Sequence, residues 1–256
     1  MPRRRRIGQG GFIFHVLNRG AFQNRLFSQR ADYKAFIDVL GEGLERHPVQ
    51  LIAFCIMPSH WHLVLLPLTD EALSQFMAWV TTTHAQRWRR ARETTGQGAV
   101  YQGRFKSIPV QNDGHLLVLL WYVERNAVRA GLAPRAQDWQ WSSAFAEGKN
   151  CCGLPLTPWP ILRPPEWLTL VNSGEPPSGI EAIRTAIVRG QPFGDERWQA
   201  QTAATLGLEY TLRRQTRQPV GSPTRPETSI ETIYLPPARS LFDLGQNQSD
   251  GSSAGR

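Results

Sequence analysis

A chain of 256 residues with 41% hydrophobic, 10% aromatic and 20% charged residues has the make-up of a globular protein able to bury a core, which excludes wholesale disorder, a collagen-like fibre and a bilayer-embedded chain. The net charge is +8, and 26 of the 29 basic residues are arginine; guanidinium forks grip phosphate in a two-pronged way, so the bias suits a phosphate-rich partner as well as it suits codon usage. Residues 1–150 hold 19 Lys and Arg against 11 Asp and Glu, whereas 151–256 hold 10 of each, so the surplus lies where a nucleic acid would engage and release counterions.

The start, with Arg3 to Arg6 followed by Gly8-Gln9-Gly10-Gly11, lacks the apolar stretch of an export signal. The four arginines read as either a phosphate-seeking arm or a solvated segment. Phe12 to Leu17 is expected to be a strand, with Asn18-Arg19-Gly20 as its turn. Ser28 is the expected N-cap of a first helix over about 29–46, in which Tyr33, Phe36, Ile37, Leu40 and Leu44 recur at helical spacing. Two further strands, 49–56 and 61–66, flank the Met57-Pro58-Ser59 corner and form a hairpin. Thr69-Asp70 opens a second helix with Leu73, Phe76, Met77 and Val80 as its inner stripe and Arg87, Arg89, Arg90 and Arg92 at its far end. A strand over 105–110 follows, and Asn112 or Asp113 caps a third helix running to roughly Ala130. The order β-α-β-β-α-β-α predicts an α+β fold, a ferredoxin-like antiparallel sheet with helices on one face.

Beyond residue 150, Pro155, Pro158, Pro160, Pro164, Pro165, Pro176 and Pro177 punctuate a segment without sustained period, read as a wrapped linker. Two short helices, near 180–189 and 195–206, form a small C-terminal extension. From Gln218 onward the Pro, Ser, Gly and Gln content predicts a disordered tail. The domain reading is therefore 1–150 as the main domain, 151–217 as linker and helical extension, and 218–256 as tail. The longest apolar runs, Leu51 to Met57 and Leu116 to Val123, are too short to span a bilayer. Cys55, Cys151 and Cys152 form neither a disulfide framework nor a zinc pattern, which fits a cytoplasmic location.

Two constellations carry chemistry. In His60-Trp61-His62, alternate residues on a strand share a face, so both imidazoles lie on one side and Trp61 anchors the strand from the other. Imidazole pairs commonly bind divalent metals, although two histidines so spaced are also ordinary on a half-exposed strand. Tyr122 and Asn126 are four apart on a predicted helix and therefore stack on one face. Of the five tyrosines, only Tyr122 has a possible metal ligand four residues on; a partly buried aromatic near a helix end is the plainer alternative.

Met57-Pro58-Ser59-His60-Trp61-His62-Leu63-Val64, then Tyr122-Val123-Glu124-Arg125-Asn126-Ala127-Val128-Arg129-Ala130-Gly131-Leu132, then Trp139-Gln140-Trp141-Ser142-Ser143, together resemble the IS200-type single-tyrosine transposases. Within them the REP-associated tyrosine transposases are the most similar subgroup. Phe14 to Gly20 resembles their first strand, and Gly190 to Gly194 with the following helix resembles their C-terminal extension. Two departures stand out: Ala127 where the family usually has proline, and Ser59 where it often has asparagine.

The resemblance implies that His60 and His62 bind a divalent ion, Mg²⁺ or Mn²⁺, as a histidine–hydrophobic–histidine (HUH) element. Asn126 is then a further ligand and Tyr122 the nucleophile. Attack by the phenol would leave a 5′ phosphate on Tyr122 and release a 3′ hydroxyl, storing the linkage for rejoining without ATP. The partner implied is single-stranded or hairpin DNA, with no nucleotide cofactor. Arg87, Arg89, Arg90, Arg104 and Lys106 are candidate phosphate contacts. The extension favours a monomer, although relatives of the wider family work as dimers. Two other readings remain open: a domesticated DNA-binding protein that no longer cuts, and a metal-dependent hydrolase in which water attacks and Tyr122 is structural.

Overall fold

The computed structural model describes residues 9–146, 153–174 and 177–213. Strands β1 (Ile13–Arg19), β2 (Val49–Ile56), β3 (His60–Pro67) and β4 (Lys106–Val110) form one sheet in the order β2-β3-β1-β4, with every neighbouring pair antiparallel. Helix α1 (Arg30–Arg46) joins β1 to β2, and α2 (Ala72–Ala91) joins β3 to β4, which is the split βαβ arrangement expected from the sequence. After β4 come α3 (Gly114–Glu124), α4 (Asn126–Arg129), α5 (Ser143–Ala146), α6 (Trp167–Ser173), α7 (Ile180–Arg189), α8 (Glu196–Leu206) and α9 (Glu209–Leu212). Among the described residues no helix is long and apolar enough to cross a membrane.

The strands alternate cleanly, and both faces are covered. Phe14, Val16, Phe54, Ile56, Trp61, Leu63 and Leu65 turn to one face and are buried under α1 and α2 with Phe36, Leu40, Phe76 and Val80. Ile13, Leu17, Ala53, Cys55, Val64, Ile108 and Val110 turn to the other and are buried under Leu116, Leu119, Leu120 and Val123 of α3. The expectation of helices on one face is therefore corrected. Its cause is the composition of α3: Gly-His-Leu-Leu-Val-Leu-Leu-Trp-Tyr-Val-Glu is apolar almost all round, and such a helix must be covered on both sides. The sheet covers one side, while Trp167 and Val171 of α6 with Ile183 and Ile187 of α7 cover the other. An irregularity in β2, between Leu51 and Ala53 opposite Leu65 and Val64, puts the consecutive residues Ile52 and Ala53 on the same face, under α3.

The helix ends differ from the local reading in instructive ways. Gln29, not Ser28, caps α1, in a capping box with Asp32 whose carboxylate also accepts from the Ser28 and Gln29 amides. Asp32 is further paired with Arg92 at 2.8 Å, so a partner 60 residues away selects the cap. The predicted third helix does not run unbroken to Ala130. It stops at Glu124 and resumes at Asn126, where the Asn126 side-chain amide donates to the Tyr122 carbonyl at 2.9 Å. That carbonyl is the acceptor an uninterrupted helix would offer to the Asn126 N–H. Between α1 and α2, Gly43 permits close approach: a Cβ there would lie 2.9 Å from Phe76 Cε2.

The segment read as linker contains α6, and described residues on both sides of it join the two cores. Leu154 and Leu206 join the core under α1 and α2, whereas Trp167, Ile183 and Phe193 join the other. Both sheet edges are occupied by later chain. Phe193 lies parallel beside Val110, its N–H bonding Pro109 O and its carbonyl accepting from Gln111 N. On the far edge Leu156 pairs with Leu51 and Ser142 with Cys55, supported by bonds from Thr157 N to Leu51 O and from Ile56 N to Trp141 O. The readings made for Arg3 to Arg6, Cys151, Cys152 and the tail from 218 onward lie outside the described residues.

Candidate active site

The Met57-Pro58-Ser59 corner delivers the chain directly into His60, the first residue of β3, with Met57 N bonded to His60 O. His60 and His62 then face α3, being 3% and 0% exposed. Trp61 points oppositely, fully buried, stacked on Phe36 at 5.8 Å and donating to the Tyr101 hydroxyl at 3.4 Å. The anchor inferred from alternation is thus present, and it comes from the core opposite the site.

The two imidazoles sit 5.2 Å apart, edge to face. His60 Nδ1 lies 3.1 Å from Ser59 Oγ, and His62 Nδ1 lies 2.9 Å from His15 Nε2. In both rings the δ nitrogen is engaged by a neighbour, which fixes ring orientation and makes the ε nitrogen the one that could hold a metal. Burial pushes the His15 and His60 imidazoles down to about 3 and His62 well below its ordinary value, with the Arg129 charge acting in the same direction on His60 and His62. All three rings are therefore neutral near pH 7, the state a metal ligand needs.

Tyr122 is 5% exposed and stands nearly perpendicular to two of these rings, 5.8 Å from His62 and 6.1 Å from His15. Its helix lies on the same side of the sheet as the histidines, so the juxtaposition expected from the sequence is met. Burial raises the phenol's pKa, while Arg129 and Arg184 pull it back. Asn126, fully buried, closes the group: its amide nitrogen serves the Tyr122 carbonyl, and its oxygen accepts from Arg129 at 2.7 Å.

His15 and Arg129 are members of this cluster that the sequence reading did not select. The signal for His15 was a lone imidazole between Ile13 and Leu17 on a strand face that is otherwise apolar; register places it opposite Val64, beside His62. The signal for Arg129 was its spacing, seven residues after Tyr122 and three after Asn126, which returns it to their helical face.

The five candidate phosphate contacts divide. Arg87 forms a two-pronged pair with Glu42, and Arg89 donates to the carbonyls of Thr94, Gln97 and Gly98. Both sit on α2, across the sheet from Tyr122, and serve as internal braces; Arg90, on the same helix, is exposed. Arg104 and Lys106 instead line a groove of about 340 Å³ with Leu17, Asn18, Arg19, Gln102 and Gly103. Arg19, one wall residue of this groove, is the strand partner of His60. Lys106 also donates to Ile187 O at 3.2 Å, and burial lowers its pKa.

Residues 10–126 match the family model described as Transposase IS200 like. A Haemophilus influenzae protein named for the REP-associated tyrosine transposases is 27% identical over 155 residues, 57% of this chain and 86% of its own length. Among solved structures, a REP-associated tyrosine transposase bound to a REP hairpin is similar at 19% identity and TM-score 0.47, over 64% of this chain and 92% of that one. A Deinococcus radiodurans protein described as a transposase is similar at 16% identity and TM-score 0.35, over 48% and 95%. The span similar to the IS200-like transposase family model runs from just before β1 to Asn126 and so takes in His15, His60, His62, Tyr122 and Asn126.

Proposed function

We propose that this chain cuts and rejoins single-stranded DNA carrying a hairpin, by attack of the Tyr122 hydroxyl on a phosphodiester beside His60 and His62. The observation that carries the reading is the packing of the Tyr122 ring against His62 and His15 on one side of the sheet. The hairpin substrate follows the REP-associated relatives.

The donor set fits a divalent cation such as Mg²⁺ or Mn²⁺. It offers two imidazoles kept neutral by burial and oriented through their δ nitrogens, together with an amide oxygen whose second lone pair can accept beside Arg129. Among the described residues no group of three His, Cys, Asp or Glu side chains is poised to hold a metal; the proposed set completes the two imidazoles with the amide of Asn126. Bound by His60, His62 and Asn126, the ion would neutralise the scissile phosphate and draw electron density from phosphorus.

The chain's own part is the nucleophile. Tyr122 oxygen bonds to phosphorus, the bond to the departing 3′ oxygen breaks, and the phenol proton ends on that oxygen. The reverse step rejoins strands at the same site. Arg104, Lys106 and Arg19 along the groove would hold the strand's phosphates as it reaches the histidines. With both sheet edges occupied, the chain would act as a monomer; the mass of the particle in solution checks this.

Incubation with a hairpin oligonucleotide and Mn²⁺ should yield a protein–DNA adduct that survives denaturation and is absent in Tyr122→Phe. The burial of Tyr122 favours one competing reading, a DNA-binding protein that no longer cuts. Tight hairpin binding with no adduct would establish that reading instead, and cleavage persisting in Tyr122→Phe would point to water as the attacker.

A further inference from the structure

Arg129 stands beside Tyr122 and Asn126. Tyr122, Asn126 and Arg129 occupy positions i, i+4 and i+7, one stripe carried across the interruption at Arg125. The guanidinium carbon lies 5.3 Å from the centre of the Tyr122 ring, and one of its nitrogens lies 2.7 Å from Asn126 Oδ1. Its charge is felt at both His60 and His62. Arg129 is half-buried, so one end of the fork is fixed inside the cluster while the rest can meet a substrate arriving from solvent. A guanidinium has five N–H groups, more than Asn126 and the phenol can use.

We propose that Arg129 is a phosphate-binding residue of the active site, gripping a non-bridging oxygen of the phosphate that Tyr122 attacks and later carries. The inference rests on the reading of Tyr122 as nucleophile. During attack the oxygen–phosphorus bond to Tyr122 forms, the bond to the 3′ oxygen breaks, and the phosphoryl group passes through a more highly charged arrangement. Arg129 neither gives nor takes a proton; it opposes that charge from a fixed position, an arrangement that is strongest in a site shielded from water. Its bond to Asn126 Oδ1 sets the direction of the fork before DNA arrives. A lysine would supply charge without the fork, and so only part of the effect.

The test separates contact with the phosphate from support of the fold. In a Tyr122→Phe background, which holds DNA uncut, hairpin oligonucleotides carrying one neutral methylphosphonate at a time are titrated against the Arg129 protein and against Arg129→Ala and Arg129→Lys. One position should weaken binding by about tenfold with Arg129 present and have little effect in Arg129→Ala, the coupling expected of a charge pair in direct contact. With Tyr122 restored, single-turnover adduct formation should fall by about 10²-fold in Arg129→Ala, on the scale of losing one preorganised donor, and recover in part in Arg129→Lys. A loss of binding in Arg129→Ala that is equal for every methylphosphonate position, or no coupling at any position, overturns the proposal. Absence of an adduct in the Tyr122 protein, with the coupling intact, overturns the nucleophile and leaves the phosphate contact standing.

Discussion

On the face covered by α1 and α2, several buried polar groups close on one another: His84 bonds the Tyr101 hydroxyl at 2.7 Å, Trp61 donates to the same oxygen, and Asp32 is paired with Arg92. On the face covered by α3, His15 Nδ1 is buried without a hydrogen-bond partner, and Tyr122, His60, His62 and Asn126 converge on one spot beside Arg129. Burial is equal on the two sides, so burial does not distinguish them. What differs is the grouping: on one face polar side chains pair within the core, on the other a phenol, three imidazoles and an amide gather at one spot beside an arginine, and such a gathering marks a candidate site.

The sharpest break of this comparison is a pair of hydroxyl deletions. Tyr122→Phe should abolish adduct formation, a loss of at least about 10³-fold, whereas Tyr101→Phe, equally buried on the other face, should leave the adduct in place and lower the unfolding midpoint instead. Next in size is the exchange between Trp61 and His62, neighbours on one strand. Trp61→Ala should cost about 3–5 kcal/mol in denaturant unfolding. His62→Ala should cost far less stability while removing Mn²⁺ binding seen by calorimetry.

A third test uses acid. Burial lowers the His84 pKa from 6.5 to about 3, so between these values the unfolded chain takes up the proton and the folded chain does not. The contribution is whole above pH 6.5 and is lost as pH falls toward 3. By pH 5 the loss from His84 is about 2 kcal/mol, read as the difference in pH dependence between the parent protein and His84→Phe. The smallest effects separate the arginines. Arg87→Ala should change stability by at most about 1 kcal/mol, its pair with Glu42 being solvent-exposed, and should leave hairpin affinity alone. Arg104→Ala should lessen the salt slope of binding by about one unit.

Features with the period of a turn or a pleat were readable in advance. The alternation in β3 located His60, His62 and the counter-facing Trp61, and the four-residue step located Tyr122 with Asn126. The boundaries of β2 and α7 coincide with the reading because proline and glycine bound them. Features decided by distant partners left no local trace. Arg92 selects Asp32 over the Ser28 side chain at the start of α1, Glu42 engages Arg87 across two helices, and His15 becomes part of the site only through register with β3. Coverage of both faces was hidden in the uniform hydropathy of α3, which has no polar stripe to show where solvent would be.

The strand-like run at Phe193 pairs with β4 through main-chain atoms alone, and this sets what that crossing tolerates. The side chain at 193 is constrained by the core it enters under α3 and not by the pairing, whereas a proline there would delete the N–H that reaches Pro109. Any side chain at 194 would collide with Gln111 and Trp198, whose atoms lie within 2.5 Å of where a Cβ would stand. The passage from α7 to α8 is accordingly fixed in length and backbone path, and it acts as a zip along the sheet's margin. Opening it would bare the Pro109 carbonyl and the Gln111 amide at the end of β4 and invite a second molecule to fasten there.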